Sequence, residues 1–182
     1  MCNRFNTRNI CEINYRDIFF DANILIYLFW QTGSRQRVLE NKYATIYSEI
    51  LRRELSMYVN YVVLSEVVNR TLRISWEEYL DKKSLKKDKL SFKNYRNSTE
   101  GIEAQEEIAI IIKEIVFNNF EVVEDSFSKE DIEDFLEVDT LDFSDKAILK
   151  TCVDNDFVLL THDSDYSNSE IDILTCNNSI LN

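Results

Sequence analysis

Hydrophobic positions along the chain alternate between a strand-like and a helix-like pattern. Short runs of consecutive apolar, aromatic or β-branched residues are typical of buried parallel strands. Four such runs lie at 18–20, 58–64, 120–123 and 157–161, and 171–174 is a candidate fifth. Between them, apolar residues recur every three or four positions, which predicts amphipathic helices. This alternation predicts an α/β protein with a central, mostly parallel sheet of four to five strands and helices on both of its faces.

The helices predicted from this spacing differ in how clearly their ends are marked. They lie at 22–30, 36–55, 65–80, 102–116, 128–137 and 144–155. Ser65, Ser128 and Ser144 stand where a side chain could cap a helix by accepting a hydrogen bond from its first turn. Because Asp131 follows Ser128 by three positions, we predict that this helix opens with a capping box. The first helix is predicted to end near Thr32-Gly33-Ser34.

A basic segment interrupts an otherwise acidic chain. The 182 residues have a formal net charge of −12, whereas residues 81–96 hold seven basic and two acidic side chains, a local net charge of +5. The rest of the chain is therefore at −12 − 5 = −17. The length of the chain suits one hydrophobic core, so we predict a single domain at 17–182. Residues 1–16 are predicted to form an N-terminal extension to it. A basic excursion at about 81–101 is predicted to leave that domain between core elements.

Composition excludes several functional classes. Gly33 and Gly101 are the only glycines, so neither a dinucleotide-binding fingerprint nor a P-loop is present. A single histidine and four cysteines without a CxxC pair exclude His-rich zinc sites and zinc ribbons. Net acidity argues against charge-driven binding to nucleic acid or to an anionic membrane, and the longest apolar run, 24–30, is too short to span a bilayer. We therefore predict a cytoplasmic protein with reduced cysteines and no membrane partner.

Carboxylates recur where the predicted strands end. The four principal acids are Asp21, Glu66, Asp145 and Asp163, and Asp142 and Asp165 lie close to the last two. Three of the four follow a predicted strand, and Asp145 opens the helix before the strand at 157–161. Open α/β sheets bind their ligands at the carboxyl ends of the strands. Each acid could instead serve as a helix cap, a first-turn charge or a turn residue, but such roles predict no preference for one sheet edge.

A group of neighbouring carboxylates favours a bound cation. Several carboxylates within a few ångströms of one another cannot all stay ionised without one. Because the sequence has no Cys/His cluster, oxygen ligands favour Mg²⁺ or Mn²⁺. Such ions activate water and neutralise charge on a phosphoryl group, so a phosphate ester is the predicted substrate class. Asn23 and Thr161 are predicted to orient the carboxylates or the attacking water.

Four short motifs contain the principal acids: FDANIL from Phe20, SEVVNR from Ser65, SDKAIL from Ser144 and LTHDSDY from Leu160. These motifs resemble those of PIN-domain ribonucleases, and in particular of VapC-like toxins from type II toxin–antitoxin pairs. They occur in the family's order, and the resemblance covers about residues 17–175. It implies a three-layer α/β/α fold, a Mg²⁺- or Mn²⁺-dependent endoribonuclease, homodimers and a neutralising antitoxin. It also assigns metal binding to Asp21, Glu66, Asp145 and Asp163, with Thr161 as a neighbouring hydroxyl and Asp142 and Asp165 as further acids.

Two charged segments are candidates for contacts with partners. Cations interleaved with aromatic residues suit single-stranded RNA, because cations follow phosphates and aromatic rings stack on bases. The candidate RNA-binding residues are Arg70, Lys82, Lys83, Lys86, Lys87, Lys89, Lys93 and Arg96. The alternatives are a solvated basic face, an ion pair between Arg70 and Glu66, and core packing by Phe92 and Tyr95. Residues 121–145, with eleven acids and one lysine, predict either an anchor for a basic partner or a solvated helix face.

The functional prediction is therefore a metal-dependent endoribonuclease. Its main alternative is a PIN-like binding or scaffold module in which the acids serve only as caps. A haloacid-dehalogenase-like phosphatase is disfavoured because it requires Asp at the position of Asn23. His162 is predicted to be structural or exposed rather than a general base, because neighbouring side chains at a strand end point to opposite faces.

Overall fold

The computed structural model describes residues 2–30 and 37–181, which include six short strands in one sheet. The strands are β1 (Arg4–Phe5), β2 (Ile18–Phe20), β3 (Met57–Asn60), β4 (Glu121–Val123), β5 (Val158–Leu160) and β6 (Ile173–Leu174). They are arranged in the order β1-β6-β5-β2-β3-β4, and every neighbouring pair is parallel. The predicted α/β class is confirmed, as a single all-parallel sheet flanked by helices. The described sheet has six strands rather than the four to five expected.

The additional strand is β1, at one edge of the sheet. Arg4 pairs with Ile173 and Phe5 with Leu174. The Arg4 guanidinium also donates hydrogen bonds to backbone carbonyls, including that of Ile171 at 2.6 Å and that of Ser169 at 2.8 Å. A two-residue strand is too short to produce a periodic pattern, so these long-range contacts are needed to recognise it.

Helices account for most of the remaining described chain. They are α1 (Ala22–Phe29), α2 (Arg37–Arg52), α3 (Tyr61–Lys82), α4 (Phe92–Arg96), α5 (Thr99–Ile111), α6 (Phe117–Asn119), α7 (Lys129–Phe135), α8 (Phe143–Asn155) and α9 (Asn178–Leu181). A π-helical turn (Ile112–Val116) joins α5 to α6, and 3₁₀ turns lie at Ile10–Ile13 and Ser164–Asn168. The predicted helix break at Thr32-Gly33-Ser34 lies outside the described residues. No helix in the described ranges is both long enough and apolar enough to cross a bilayer.

The predicted strand at 58–64 is wrong in its second half. β3 ends at Asn60, and Tyr61 begins α3, so Ser65 lies inside the helix and does not cap it. The buried Asn60 side chain instead accepts a hydrogen bond from the backbone N–H of Val63 at 2.9 Å. A side-chain acceptor at this position satisfies a first-turn N–H and so favours a helix start. This local bond outweighs the strand preference of the β-branched residues in the run.

Two predicted caps have different outcomes. Ser128 and Asp131 form the expected capping box at the start of α7. Ser144, in contrast, is wrong as the cap of α8, because Asp142 occupies that position. The Asp142 carboxylate accepts hydrogen bonds from the backbone N–H groups of Ser144 at 2.7 Å and Asp145 at 2.9 Å. A carboxylate is a stronger hydrogen-bond acceptor than a hydroxyl, and its negative charge is stabilised by the positive end of the helix dipole.

The chain divides into two compact units. The first comprises the residues up to Leu64 together with those from Phe120 onward, and contains the whole sheet. Its core is built around the central strands β2 and β5, which are completely buried. The second unit is Ser65–Asn119, which holds most of α3 and the helices from α4 to α6. The predicted basic excursion at 81–101 lies within this second unit.

Candidate active site

Asp21 is the best-defined acidic residue at the carboxyl edge of the sheet. It directly follows β2, and its backbone N–H donates to the carbonyl of Leu160 at the end of β5. Its side chain is 5% exposed. Although Asp21 occupies the N-cap position of α1, its carboxylate makes no capping hydrogen bond to that helix. The helix-cap alternative therefore does not explain the placement of this buried carboxylate.

Two uncharged donors hold one oxygen of Asp21. The Asn23 amide and the Thr161 hydroxyl each donate to Oδ2 of Asp21 at 2.6 Å. The Thr161 Oγ1 also accepts the backbone N–H of Asp163 at 2.9 Å, and the Asn23 Oδ1 accepts that of His162 at 3.3 Å. Asn23 and Thr161 therefore orient the Asp21 carboxylate and connect the ends of β2 and β5.

Asp145 lies in the first turn of α8, where several groups act on its carboxylate. Oδ1 accepts the hydroxyl of the buried Tyr166 at 2.9 Å, and Oδ2 accepts the backbone N–H of Asp142 at 3.2 Å. Burial raises the pKa of Asp145 to about 6, and the negative charges of Asp142 and Asp163 act in the same direction. The two hydrogen bonds oppose this rise but do not cancel it.

Asp145 interacts with the charge of Asp163, and Asp21 is linked to both residues through neighbouring groups. The pKa of the Tyr166 hydroxyl is raised, mainly by burial and then by the negative charges of Asp21 and Asp145. Asp163 acts electrostatically on Asp145, and it is joined to Asp21 through the Thr161 hydroxyl. These three acids, together with Asn23, Thr161 and Tyr166, form a cluster within the first unit, which we call the Asp21 cluster.

The two further acids, Asp142 and Asp165, have different local roles. Asp142 is the N-cap of α8, as its hydrogen bonds show. Asp165 is exposed, and its backbone N–H donates to Oδ1 of Asp163 at 3.0 Å. Asp163 therefore also caps the 3₁₀ turn at Ser164–Asn168. Asp142 and Asp163 thus have structural roles that do not require a metal.

Glu66 lies in the second unit, in the second turn of α3. It does not directly follow a strand, because β3 ends at Asn60. Its carboxylate forms an ion pair with Arg70, one turn further along the helix, at 2.9 Å. The ion-pair alternative for Arg70 is therefore observed, and both side chains are partly exposed. The assignment of Glu66 as a metal ligand stays a prediction from the sequence.

The basic residues of the second unit are exposed, whereas the aromatic residues beside them are packed. The exposed cations include Lys82, Lys83, Lys86, Lys87, Lys89, Lys93 and Arg96. Tyr95 is buried, and Phe92 lies between the Trp76 ring at 5.7 Å and the Arg73 guanidinium at 4.5 Å. Core packing therefore explains the two aromatic residues. RNA binding by the cations stays a prediction.

Three further side chains in the first unit make contacts that the sequence did not predict. Tyr166 appears in a quoted motif, but only the fold shows that its hydroxyl reaches Asp145. Asp125 comes soon after β4 and accepts the Thr151 hydroxyl at 2.8 Å, so a search for acids after every strand could have found it. His162 contacts the buried Tyr43 hydroxyl through Nδ1 at 2.8 Å, and burial lowers its pKa. A structural role for His162 accords with this contact.

The chemistry of the Asp21 cluster fits a hard divalent cation, although its side chains are not arranged as a complete ligand set. Among the described residues, no group of three or more His, Cys, Asp or Glu side chains is placed to hold a metal ion. The available donors are carboxylate oxygens, which Mg²⁺ and Mn²⁺ prefer, and their mutual repulsion would be relieved by positive charge. Cation binding would require carboxylates to turn from their present hydrogen-bond partners.

Comparison with known proteins adds no assignment. No protein-family model matches the sequence, and no curated protein matches it.

Proposed function

We propose that this protein is a Mg²⁺- or Mn²⁺-dependent endoribonuclease that hydrolyses RNA phosphodiester bonds. The observation that carries the proposal is the Asp21 carboxylate, which is buried at the carboxyl end of a central parallel strand and makes no capping bond to α1. Two neutral donors orient it, one of them also accepts the Asp163 backbone N–H, and Asp21 and Asp145 both act electrostatically on Tyr166. In open α/β sheets, ligands bind at the carboxyl ends of the strands, which is where this buried carboxylate lies.

Within the proposed mechanism, Asp21, Asp145 and Asp163 would hold the cation. When bound, the ion lowers the pKa of a water and neutralises charge that develops on the phosphoryl oxygens. Asn23 and Thr161 keep the Asp21 carboxylate in one orientation, because both donate to the same oxygen. Tyr166 does the same for Asp145 from the protein interior. The resemblance in sequence also assigns metal binding to Glu66.

The partners in this proposal also follow from the sequence. The order of the motifs supports the toxin of a type II toxin–antitoxin pair, acting on RNA in the cytoplasm as a homodimer with a cognate antitoxin. The exposed cations from Lys82 to Arg96 would contact RNA phosphates, whose binding by Lys and Arg needs no sequence recognition.

Calorimetric titration with Mn²⁺ and an RNA-cleavage assay test the proposal together. The parent protein, freed of metal with EDTA and dialysed, should bind Mn²⁺ and cut a labelled single-stranded RNA only when Mn²⁺ or Mg²⁺ is present. Asp21→Asn should lose both properties while keeping its fold, because an amide oxygen can still accept hydrogen bonds from Asn23 and Thr161. Asp134→Asn removes one exposed carboxylate from α7 and is the matched control. Unchanged cleavage by Asp21→Asn would refute the assignment.

A binding or scaffold module is the second candidate, and it too has a specific observation in its favour. Asp142 and Asp163 already act as caps, and the described residues form no ready-made group of three metal ligands. A scaffold should give no Mn²⁺ binding heat, and neutralising Asp21 or Asp163 should leave that result unchanged. Mn²⁺ binding that disappears in both variants excludes the scaffold.

A further inference from the structure

A continuous surface groove runs along α8 in the first unit. Two adjoining cavities of about 450 and 290 Å³ share Asp139, Leu141, Leu149 and Val153 in their linings. Three of these four shared residues are apolar, and Leu149 and Val153 lie one helical turn apart on α8. We call this feature the α8 groove. It involves none of the side chains of Asp21, Asp145 and Asp163.

Four apolar side chains in the α8 groove, or close in sequence to residues that line it, are exposed. Val138 is fully exposed, Leu136 is 67% exposed and Val153 is 58% exposed. Phe143, at the start of α8, is 47% exposed. Single exposed apolar residues are common, but a group of them next to an apolar groove is typical of a binding surface.

The rim of the groove is acidic. Asp134, Asp139, Asp165 and Glu170 line the two cavities together with Lys146 and Lys150, and five of the lining residues belong to the segment 121–145, which has a net charge of −10. The two lysines in the lining are already paired: Lys146 lies 3.0 Å from Asp139, and Lys150 pairs with Asp154. A ligand for this groove must therefore be apolar on one side and cationic around it. Nucleic acid and anionic lipid have the wrong charge.

We propose that the α8 groove binds a basic amphipathic helix of a partner protein. Leu149 and Val153 form an apolar ridge along α8, against which the apolar stripe of a second helix can pack. Lysine or arginine residues that flank this stripe would then face the acidic rim and would guide association by long-range attraction. The proposal does not depend on metal binding or on nuclease activity.

The basic segment of this chain does not suit the α8 groove, so a second copy of the chain is a poorer occupant than a basic amphipathic helix. In the described structure, residues 82–96 end one helix, pass through turns and form α4, which has only five residues. Tyr95 is buried and Phe92 packs on Trp76, so this segment presents charge with little apolar surface. It matches the rim of the groove but not its floor.

Fluorescence anisotropy with three synthetic peptides tests the proposal. The probe is a fluorescein-labelled peptide of about five helical turns, with Leu at every third or fourth position and Lys or Arg elsewhere. One control peptide has Glu in place of the basic residues. The other has the composition of the probe with its Leu positions scrambled, so that no apolar face remains. Measurements on the full chain in EDTA, at low and at physiological salt, keep metal out of the result.

The expected result is saturable binding of the amphipathic basic peptide alone, weakened by salt. Val153→Glu and Glu170→Lys, both at exposed positions, should each weaken binding by about tenfold or more, as expected for central contacts in an interface. Val38→Glu, at an exposed site on α2 outside the groove, should leave binding unchanged.

Several outcomes would overturn the proposal. Equal binding of the scrambled peptide would mean that net charge alone attracts cations to this protein. Unchanged binding by Val153→Glu would place the peptide elsewhere. If sedimentation velocity shows that the parent is a dimer, that Val153→Glu is a monomer and that the peptide does not bind, the occupant is a second copy. Circular dichroism of each variant verifies that its fold is intact.

Discussion

Replacing Asp145 with Asn should change how the stability of the protein depends on pH. Asp145 has a pKa of about 6 in the folded protein, against 3.8 for an ordinary aspartate, because burial disfavours its charged form. Between these two values the folded state binds more protons than the unfolded state. The free energy of unfolding therefore falls as pH rises from about 4 to about 6 through this residue. The asparagine variant lacks that contribution, since it does not titrate.

The magnitude follows from the pKa difference. A shift from 3.8 to about 6 corresponds to about 3 kcal/mol at 1.36 kcal/mol per pKa unit. Solvent screens the partly exposed carboxylate, which reduces the expected effect to roughly 1–2 kcal/mol. An amide at this position still accepts the backbone N–H of Asp142, and it can donate to the Tyr166 oxygen. We therefore expect the variant to gain stability relative to the parent between pH 4 and pH 7.

Urea unfolding followed by circular dichroism, in EDTA and at constant ionic strength, measures this difference at several pH values. Subtracting the parent from the variant removes groups that both proteins share. Asp134→Asn provides the baseline, because its exposed side chain should give a difference that does not vary with pH. A difference between Asp145→Asn and the parent that stays constant from pH 4 to pH 7 would show that Asp145 ionises normally, and the argument from burial would fail.

Three further substitutions test how particular contacts stabilise the fold. Gly101→Ala should lower the free energy of unfolding in urea by about 3 kcal/mol or more, because a Cβ there would lie 1.9 Å from the Tyr95 carbonyl oxygen. A decrease below about 0.5 kcal/mol would contradict this close packing. Thr161→Val should cost about 1–3 kcal/mol, since it removes a donor to buried Asp21, and thermal unfolding that matches the parent would refute that role. Ser128→Ala should cost about 1 kcal/mol through loss of the α7 cap, and an unchanged melting temperature would count against it.

Local sequence patterns predicted most elements of the fold but missed some of their boundaries. The apolar run of β2 and the capping box of α7 depend on adjacent residues, so the sequence alone was sufficient for both. The run at 58–64 was predicted as one strand because its β-branched residues favour one, whereas in the structure the Asn60 side chain accepts the Val63 N–H and α3 starts within that run. Ser144 was predicted to cap α8, and only the hydrogen bonds of the folded chain show that Asp142 takes that position.

The contacts of the candidate site also differ in how far the sequence could predict them. Asn23 lies two residues from Asp21, so their contact could be anticipated from the motif. Tyr166, by contrast, reaches Asp145 across 21 positions, and no spacing rule predicts that contact. For Glu66 the sequence prediction of its position was wrong: the motif suggested that it follows a strand end, whereas the structure places it within α3.

By itself, the sequence determined the class of fold and the chemical nature of the candidate site. Alternating periodicity requires a parallel sheet with helices, and the scarcity of glycine and histidine leaves carboxylates as the available polar chemistry. Tertiary structure decided which carboxylates are buried, oriented or used as caps. It also joined β1 to the sheet edge and gathered the apolar and acidic residues of the α8 groove. These features depend on contacts between residues far apart in the chain, which local periodicity does not encode.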